Sequence, residues 1–524
     1  MDKKKRLITM VVTLLVLTIG VTFAYFMART GEGKQAGTTI TTGTVDDLKF
    51  NVSKENLSLN INQFNFASGS GNLSDNVTAT ASLKANSTKN TAKYNYYVYF
   101  QIESNDYVYT TTDKKPEIVL SITGPNGEIT SVDGLTYVSA TNADGTVVKG
   151  FDITESKPSV VKIADSYEIS SSSSTNYTNQ EWTFTVTFIN LDTNQVGNQN
   201  KNLTGKVLIQ QDKILSLAEY VVSQYTGTQG ENGIYYHDAS LTNGAGDNSY
   251  RFAGASDQVN NYVCFGSTQS PCPADNLYRI IGVFGDLVKL IKADYATTVL
   301  LGADGDYSRM YTANGWNNSN YKGNNLANIA GYTWNYKNDT SINNGYGSNT
   351  WSTSLLNKTN LNKNFITNIG ADWAAKIADT TWKVGGNTWA NIGTQPAKTA
   401  YQNEIVSPVT TNTTDNATDY SAKVGLMYAS DYGFAAAPSA WTANLYTYNG
   451  EAIRNVNWMY MGLLEWTISR SADNASYVLL VNYTGLVGYN FAYTVLALRP
   501  VFYLSSSVNY VSGSGTAADP IRIN

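Results

Sequence analysis

The chain has 524 residues, a formal net charge of −5, and charged side chains at only 15% of its positions. This balance excludes an electrostatic nucleic-acid binder, which needs a basic surface for the phosphate backbone. The length predicts two or three domains. His237 is the one histidine of the chain, so zinc sites with several histidine ligands are excluded and a Ser-His-Asp triad would have to use it.

Residues 1–29 have the pattern of an export segment. The basic stretch Lys3–Arg6 precedes an uncharged run from Leu7 to Ala28. A helix of roughly twenty apolar residues spans a bilayer, and its basic flank stays cytoplasmic. A secretory signal peptide has the same charge order, and the bond between Ala24 and Tyr25 fits its cleavage site. The sequence therefore predicts an extracellular chain that is either cleaved there or anchored in the membrane by an N-terminal helix.

Residues 30–212 show the alternation that is typical of β-strands. The clearest alternating segments are 94–102, 118–122, 182–188 and 207–210. Turn-forming stretches separate them, and no long helical period is present. Several short strands joined by turns predict an antiparallel β-sandwich.

The character of the sequence changes where this region ends. Apolar side chains from Ile214 to Tyr225 recur at the spacing of one helix face. Nine of the ten tryptophans lie beyond this point. We therefore expect residues 213–227 to form an opening helix or linker, and residues 228–524 to form a second domain with both helices and strands.

Two features stand out inside the second domain. Residues 277–292 predict a buried hairpin that turns at Gly285 and Asp286. The stretch 302–365 is rich in Asn, Gly, Tyr and Trp and has few apolar runs. It predicts a long loop region without regular structure, of the kind that often serves binding.

The chain has two cysteines, Cys264 and Cys272. In an exported chain this spacing favours a disulfide that closes a short loop. The alternative is a reactive thiol pair, which would favour closer spacing and a basic neighbourhood. We therefore predict the disulfide.

The N-terminal region resembles camelysin and the TasA-type biofilm fibre proteins. The resemblance rests on Gly20–Phe26 and Thr42–Asp46 and covers residues 1–212. It implies export from a Gram-positive bacterium, maturation at the aromatic pair, and a jelly-roll-like sandwich. It also implies self-association, in which a freed segment from Tyr25 to about Thr42 pairs as a donated strand with a neighbouring subunit.

The remainder, residues 214–524, resembles a domain that recurs in surface proteins of gut Firmicutes and is similar to the C-type-lectin-like fold of formylglycine-generating enzymes. The motifs that carry the resemblance are Gly233–Asp238, Ser249–Ala255, Asn261–Gly266, Asn276–Gly282, Val424–Gly433 and Leu498–Leu504. It implies a structural signature of Trp466, Arg470 and Arg499. The oxidase chemistry of that superfamily uses a late cysteine pair, so the early cysteines here do not imply it. The loop and strand motifs of calcium-dependent sugar binding are also missing.

Arg470 and Arg499 lie within apolar segments. An unpaired buried guanidinium is costly, so each arginine needs a partner. Asp431 and Glu465 are the candidate acids. We expect structural ion pairs here rather than contacts with a ligand.

Catalytic and metal sites have little support in the sequence. The acidic residues of the second domain show no pair with the spacing of a glycosidase, so a glycan- or wall-acting hydrolase is only an alternative. Asp304 and Asp306 could ligate calcium, although the other ligands of an EF-type loop are missing. A solvated turn is the competing interpretation of these two residues.

Several tryptophans of the second domain lie in polar surroundings. Aromatic faces beside amides and hydroxyls suit carbohydrate or protein ligands, so Trp316, Trp334, Trp441 and Trp458 are candidate ligand-binding residues. The alternative is that they hold loops onto the core. The sequence predicts a secreted or cell-surface adhesion protein, with the sandwich as a stalk and the Trp-rich domain as the binding part. A subunit of an extracellular fibre is the structural alternative.

Overall fold

The structure is a computed structural model that describes residues 46–61, 73–86, 91–311, 318–323, 325–338, 340–408 and 417–524. The predicted export segment with Ala24 and Tyr25, and the predicted donor strand, lie outside the described residues. Strands outweigh helices in the described ranges, which confirms the prediction of a mainly β chain with some α-helix. No helix in these ranges combines the length and the apolar character needed to span a membrane.

The chain divides into two compact units, and the boundary falls between Lys213 and Ile214. The strands of the first unit are β1 Asp47–Val52, β2 Leu57–Ile61, β3 Leu73–Lys84, β4 Ala92–Asn105, β5 Ile118–Gly124, β6 Gly127–Glu128, β7 Thr136–Thr141, β8 Val147–Asp152, β9 Ser159–Ser171, β10 Thr178–Phe188 and β11 Lys201–Gln210. One sheet has the order β1-β3-β10-β5-β8-β7 with β6 beside β5, and the other has the order β2-β11-β4-β9. All of these pairings are antiparallel.

The two sheets of the first unit share one hydrophobic core. Alternation along each strand produces this core: in β3, Val77 and Ala79 are buried, while Thr78 between them is partly exposed. The indole N–H of Trp182 on β10 donates to the hydroxyl of Tyr96 on β4 over 2.9 Å, which links the two sheets. The first unit is therefore an antiparallel β-sandwich.

The second unit contains shorter strands. They are β12 Ile234–His237, β13 Ser249–Phe252, β14 Tyr262–Cys264, β15 Leu277–Phe284, β16 Leu287–Lys292, β17 Tyr307–Met310, β18 Ala330–Tyr332, β19 Thr380–Lys383, β20 Gly386–Asn387, β21 Asp419–Ala422, β22 Val424–Gly425, β23 Glu465–Ser471, β24 Tyr477–Val481, β25 Val487–Phe491, β26 Val501–Leu504, β27 Tyr510–Ser512 and β28 Arg522–Ile523. The larger sheet has the order β12-β13-β15-β16-β26-β22, with β14 beside β15. A second sheet has the order β20-β23-β24-β25, and β25 is its edge strand in the described part of the chain.

Short helices complete the second unit. The α-helices are α1 Leu217–Ser223, α2 Thr298–Leu301, α3 Ile342–Gly345, α4 Ile366–Asn368, α5 Ala371–Ala375, α6 Trp389–Ile392, α7 Ala397–Tyr401, α8 Ala429–Phe434 and α9 Glu451–Arg454, and Leu356–Phe365 and Gln402–Val406 are π-helical. Helix α1 begins at a capping box, because Ser216 and Glu219 each accept from the other's backbone N–H. The ring of Tyr220 stacks on Tyr510 with centroids 3.6 Å apart, so the first helix of the unit packs against its last hairpin.

Two predicted elements can be compared directly with the structure. The β15–β16 hairpin turns at Gly285 and Asp286, as predicted, and Gly285 has the positive φ of 64° that favours glycine. The prediction of a long loop without regular structure over 302–365 is wrong for the described residues. This stretch contains β17, β18 and the π-helical segment, whose Leu356 and Phe365 are fully buried.

Candidate functional site

The structure buries three of the four tryptophans that the sequence nominates for ligand binding. Trp334, Trp441 and Trp458 have exposed fractions of 0%, 1% and 1%. Each indole N–H donates to a backbone carbonyl of the same unit, over 2.8 to 3.0 Å. The prediction of ligand-binding rings is therefore wrong for these three, because the core surrounds each ring and satisfies its polar atom. Trp316 lies outside the described residues.

Arg499 and Glu465 form a buried ion pair. The guanidinium donates from Nε to Oε1 over 2.7 Å and from Nη2 to Oε2 over 2.9 Å. Nη2 also donates to the carbonyl of Met459 over 2.8 Å. Burial alone would lower the pKa of Arg499, but the carboxylate of Glu465 outweighs it and the pKa is raised. The pair joins β23 to the segment before β26, which is a structural role.

Asp431 makes its ion pairs with two other cations. Its Oδ2 atom lies 2.5 Å from Nζ of Lys289, and its Oδ1 atom lies 3.7 Å from Nη1 of Arg251. All three side chains are almost fully buried. Arg470 and Trp466 lie on β23 and are also buried, and burial lowers the pKa of Arg470 to about 10. The charged residues that the sequence singles out therefore lie in the core of the second unit.

His237 and Glu404 are two further titratable groups in this core. Nδ1 of His237 accepts from the backbone N–H of Ala245 over 3.0 Å, and burial lowers the pKa of the imidazole. Oε2 of Glu404 accepts from the backbone N–H of Ser430 over 3.1 Å. Burial raises the pKa of Glu404 to about 7. Both side chains are fully buried, so neither is presented to a substrate in this structure.

Asp306 is the centre of a buried hydrogen-bond group. Its Oδ1 atom accepts from the hydroxyl of Thr333 and from two successive backbone N–H groups, and its Oδ2 atom accepts from the N–H of Leu356 over 2.8 Å. The Oδ1 atom of Asp304 accepts from the amide of Asn364 over 2.6 Å. Calcium needs oxygen atoms that point at the ion, and here those of Asp306 point at donors. Within the described ranges, no group of three or more acidic, histidine or cysteine residues is placed to hold a metal.

Cys264 and Cys272 form a disulfide with their Cα atoms 5.9 Å apart, which confirms the predicted pairing. Cys264 ends β14, which pairs with the first residues of β15. The bridge therefore closes a short loop between two strands of the larger sheet.

The second unit has a cleft of about 340 Å³ beside the edge strand β25. Its lining consists of three tyrosines, four leucines, two asparagines, a threonine and a glycine, namely Tyr446, Tyr483, Tyr489, Leu464, Leu480, Leu486, Leu496, Asn482, Asn490, Thr494 and Gly488. The lining thus combines aromatic and aliphatic groups with amides and hydroxyls. Among these described residues, no side chain is a carboxylate or a cation. The cleft therefore suits a ligand that is both apolar and hydrogen-bonding, and uncharged.

The turn between β24 and β25 forms one wall of the cleft, and the core holds it in place. The carbonyl of Tyr483 accepts from the hydroxyl of Tyr460 over 2.7 Å and from the amide of Asn320 over 3.1 Å. The carbonyl of Gly485 accepts from the hydroxyl of Tyr432 over 2.8 Å. These three bonds fix the backbone of the turn, so the wall is formed before a ligand arrives.

Tyr446 supplies the most exposed ring of the cleft. Its side chain is 49% exposed, while its neighbour Leu445 is fully buried and anchors this short turn in the core. Tyr489 lies nearby on β25. Burial raises the pKa of Tyr489, and the phenols of Tyr477 and Tyr446 raise it further. The ring centroids of Tyr489 and Tyr477 lie 5.0 Å apart.

Gly488 leaves space in the cleft. A Cβ atom built at this position would meet only Cδ1 of Leu486, at 3.3 Å. The neighbouring strand position Leu480 also lines the cleft. The volume that a ligand would use therefore exists partly because this residue has no side chain.

These observations stand without support from relatives. No family model, curated protein or solved structure matches the chain. The resemblances to TasA-type fibre proteins and to C-type-lectin-like domains remain predictions from sequence motifs. Any proposal of function has to rest on the geometry of the cleft.

Sequence reasoning missed the tyrosine-lined cleft. A signal was present: Tyr489, Phe491 and Tyr493 alternate, as residues on one face of a strand do, and they follow the turn sequence Asn482–Gly485. Polar surroundings of the tryptophans gave a stronger but misleading indication. Whether an aromatic ring lies in the core or lines the cleft depends on contacts between residues that are distant in sequence.

Proposed function

We propose that the protein is an extracellular binding protein whose second unit binds a neutral glycan in the tyrosine-lined cleft. The lining of the cleft carries this proposal. Sugar rings have apolar C–H faces and hydroxyls that both donate and accept. Tyr446 and Tyr489 offer aromatic faces for the C–H faces of the sugar. Asn482, Asn490 and Thr494 offer hydrogen-bonding groups for the sugar hydroxyls.

The chemistry of the lining favours binding without turnover. Glycoside hydrolysis requires two carboxylic groups on opposite sides of the scissile bond. The described residues around the cleft include none. A hydrolase therefore stays the weaker alternative, and adhesion is the function that the cleft supports best.

Rigidity also favours recognition at this site. The backbone of the turn from Asn482 to Leu486 is held by core hydroxyls and an amide, as described above. A wall that is already ordered loses little conformational entropy when a ligand binds. Tyrosine rings add contact area at a similarly low entropic cost.

The location and the role of the first unit follow from the sequence. The apolar run within residues 1–29 supports export, and the β-sandwich of the first unit would then serve as a stalk that carries the binding unit. The fibre-subunit alternative depends on the segment from Tyr25 to about Thr42, which lies outside the described residues.

The test is binding of the full chain to a panel of neutral glycans, acidic glycans and matrix proteins, with and without calcium. We expect saturable binding to a neutral glycan that does not depend on calcium. Tyr446→Ala should weaken the affinity for a disaccharide of that glycan about tenfold or more, which corresponds to about 1.4 kcal/mol.

The matched control is Val511→Ala, which truncates an apolar side chain of similar exposure, 48% against 49%, that does not line the cleft. This variant should bind the disaccharide as the unchanged chain does. Absence of binding to every neutral glycan, or equal losses in the two variants, would contradict the proposed function.

A further inference from the structure

A continuous aromatic surface extends from the cleft along the edge of the smaller sheet. We call it the tyrosine track and define it as Tyr489, Tyr477, Phe491, Tyr346 and Tyr493. Neighbouring ring centroids along it are 5.0, 4.5, 4.3 and 6.0 Å apart. The Tyr346 and Phe491 rings are stacked, with an interplanar angle of 17°. The rings thus form one contiguous aromatic cluster rather than isolated aromatic residues.

The track and the cleft share residues. Tyr489 belongs to both, and Thr494 in the lining directly follows Tyr493 of the track. Tyr489 and Phe491 are two positions apart on β25, so their side chains lie on the same face of the strand, about 7 Å apart along it. Tyr489, which also lines the cleft at this edge strand, is therefore the residue at which the track meets the cleft.

Two rings of the track are open to solvent. Tyr346 is 43% exposed and Tyr493 is 40% exposed, and both are among the few large apolar side chains of the described residues with such exposure. Tyr477, Tyr489 and Phe491 are partly buried. Tyr346 and Tyr493 are therefore the accessible members of the track.

The composition of this surface restricts its ligand. The track and the lining of the cleft are uncharged, so an anionic polymer would find no cation in either. Aromatic rings in a row favour a ligand that repeats the same apolar face along its length, since each unit can stack on a ring. A terminal monosaccharide could use the cleft but not the track.

We infer that the ligand of this site is an extended neutral polysaccharide, bound along its chain, with one part in the cleft and the following sugars on the tyrosine track. This inference rests on the proposed function and deepens it, because it names the class of glycan and the surface that binds its further sugars. The ligand is recognised within its chain rather than at its end.

The experiment compares affinities of the full chain for a disaccharide and for the polymer of the same repeating unit, with dextran, mannan, xylan and soluble glucans as probes. The polymer should bind at least about tenfold more tightly than the disaccharide. The double variant Tyr346→Ala with Tyr493→Ala should lose most of this advantage, which is measured as the ratio of the two affinities within the same protein.

The outcomes separate the inference from the proposed function. If the disaccharide and the polymer bind equally, and the double variant changes neither affinity, the cleft binds glycans but the inference about the track is wrong. If neither probe binds, the proposed function fails as well. If the double variant changes only the sedimentation behaviour of the chain, the track is a contact between copies and the inference is overturned. Tyr446→Ala should weaken the binding of both the disaccharide and the polymer, so this variant serves as the positive control.

Discussion

Three tryptophans and two tyrosines of the second unit occupy opposite environments. Trp334, Trp441 and Trp458 are buried and donate their indole N–H groups to backbone carbonyls. Tyr446 and Tyr346, in contrast, present nearly half of their surface to solvent. These three tryptophans are part of the core of the unit, while Tyr446 and Tyr346 belong to its accessible aromatic surface.

The difference shows what a polar sequence neighbourhood can and cannot indicate. Trp334 is followed by Asn335 and Tyr336, yet its ring packs 4.7 Å from the ring of Trp351, and its N–H bonds to Thr467, 133 residues away. Small polar residues around a large ring can form the turns that bring distant segments over it. Burial of the ring is decided by those segments.

The largest expected effect comes from removing a core tryptophan. Trp458→Ala deletes a buried ring that donates to the carbonyl of Phe252 over 2.8 Å and lies 4.6 Å from the guanidinium of Arg279. We expect a loss of about 3–5 kcal/mol in the free energy of unfolding, measured by denaturant titration. Tyr446→Ala, at an exposed position, should change it by less than about 0.5 kcal/mol. Similar losses in both variants would break the distinction between core and cleft.

The buried carboxyl of Glu404 should make the free energy of unfolding depend on pH. Burial raises the pKa of Glu404 from 4.5 to about 7, so the folded state binds the proton more tightly than the unfolded state. The resulting stabilisation is complete below about pH 4.5 and is lost as the pH rises through about 7, a change of up to about 3 kcal/mol.

Glu404→Gln keeps the shape of the side chain and removes its titration. The stability difference between this variant and the unchanged chain should therefore vary with pH over that window, as measured by denaturant unfolding at several pH values. His237 has a pKa lowered by burial and contributes the opposite slope, but equally in both proteins. A difference that is constant with pH would show that Glu404 does not titrate in this range.

The disulfide should contribute less than the core ring. Replacing Cys264 and Cys272 by serine together opens a short loop, and the loop-entropy estimate predicts a loss of about 2.5 kcal/mol in the free energy of unfolding. Since the bridge lies on the larger sheet, away from the lining of the cleft, glycan affinity of the folded variant should stay the same. Unchanged stability would mean that the loop is already restricted in the unfolded state of the variant without the bridge.

Patterns that are local in sequence predicted much of the fold. Alternation located strands β4, β5, β10 and β11 of the sandwich but not the long strands β3 and β9, and the hairpin over 277–292 turned at the predicted residues. Glu465, one of the two acids expected to pair with a buried arginine, pairs with Arg499. The two cysteines form the predicted bridge. In each case, neighbours in sequence or the cost of an unpaired buried charge restrict the structure.

Features that depend on distant segments were not predictable in this way. Asp306 looked like a turn residue or a calcium ligand, but Thr333 and Leu356 come from separate segments to satisfy its carboxylate. The cleft likewise joins Tyr446 from one turn with strand β25 and with Leu464. Local composition indicates an aromatic-rich unit but does not show which rings meet at the surface.

The most direct test of the proposed binding site is a substitution that fills the cleft and leaves the buried tryptophans of the core unchanged. Gly488→Leu would place a side chain in the space that the glycine leaves, and Gly393→Leu is the control, because a Cβ atom at Gly393 meets nothing within 4 Å and the residue lies outside the lining. Glycan affinities of both full-length variants would be measured after denaturant titration has shown that they are folded. If the ligand occupies this cleft, Gly488→Leu abolishes binding to disaccharide and polymer alike, while Gly393→Leu binds normally. Normal binding by folded Gly488→Leu would contradict the claim that the ligand occupies this cleft.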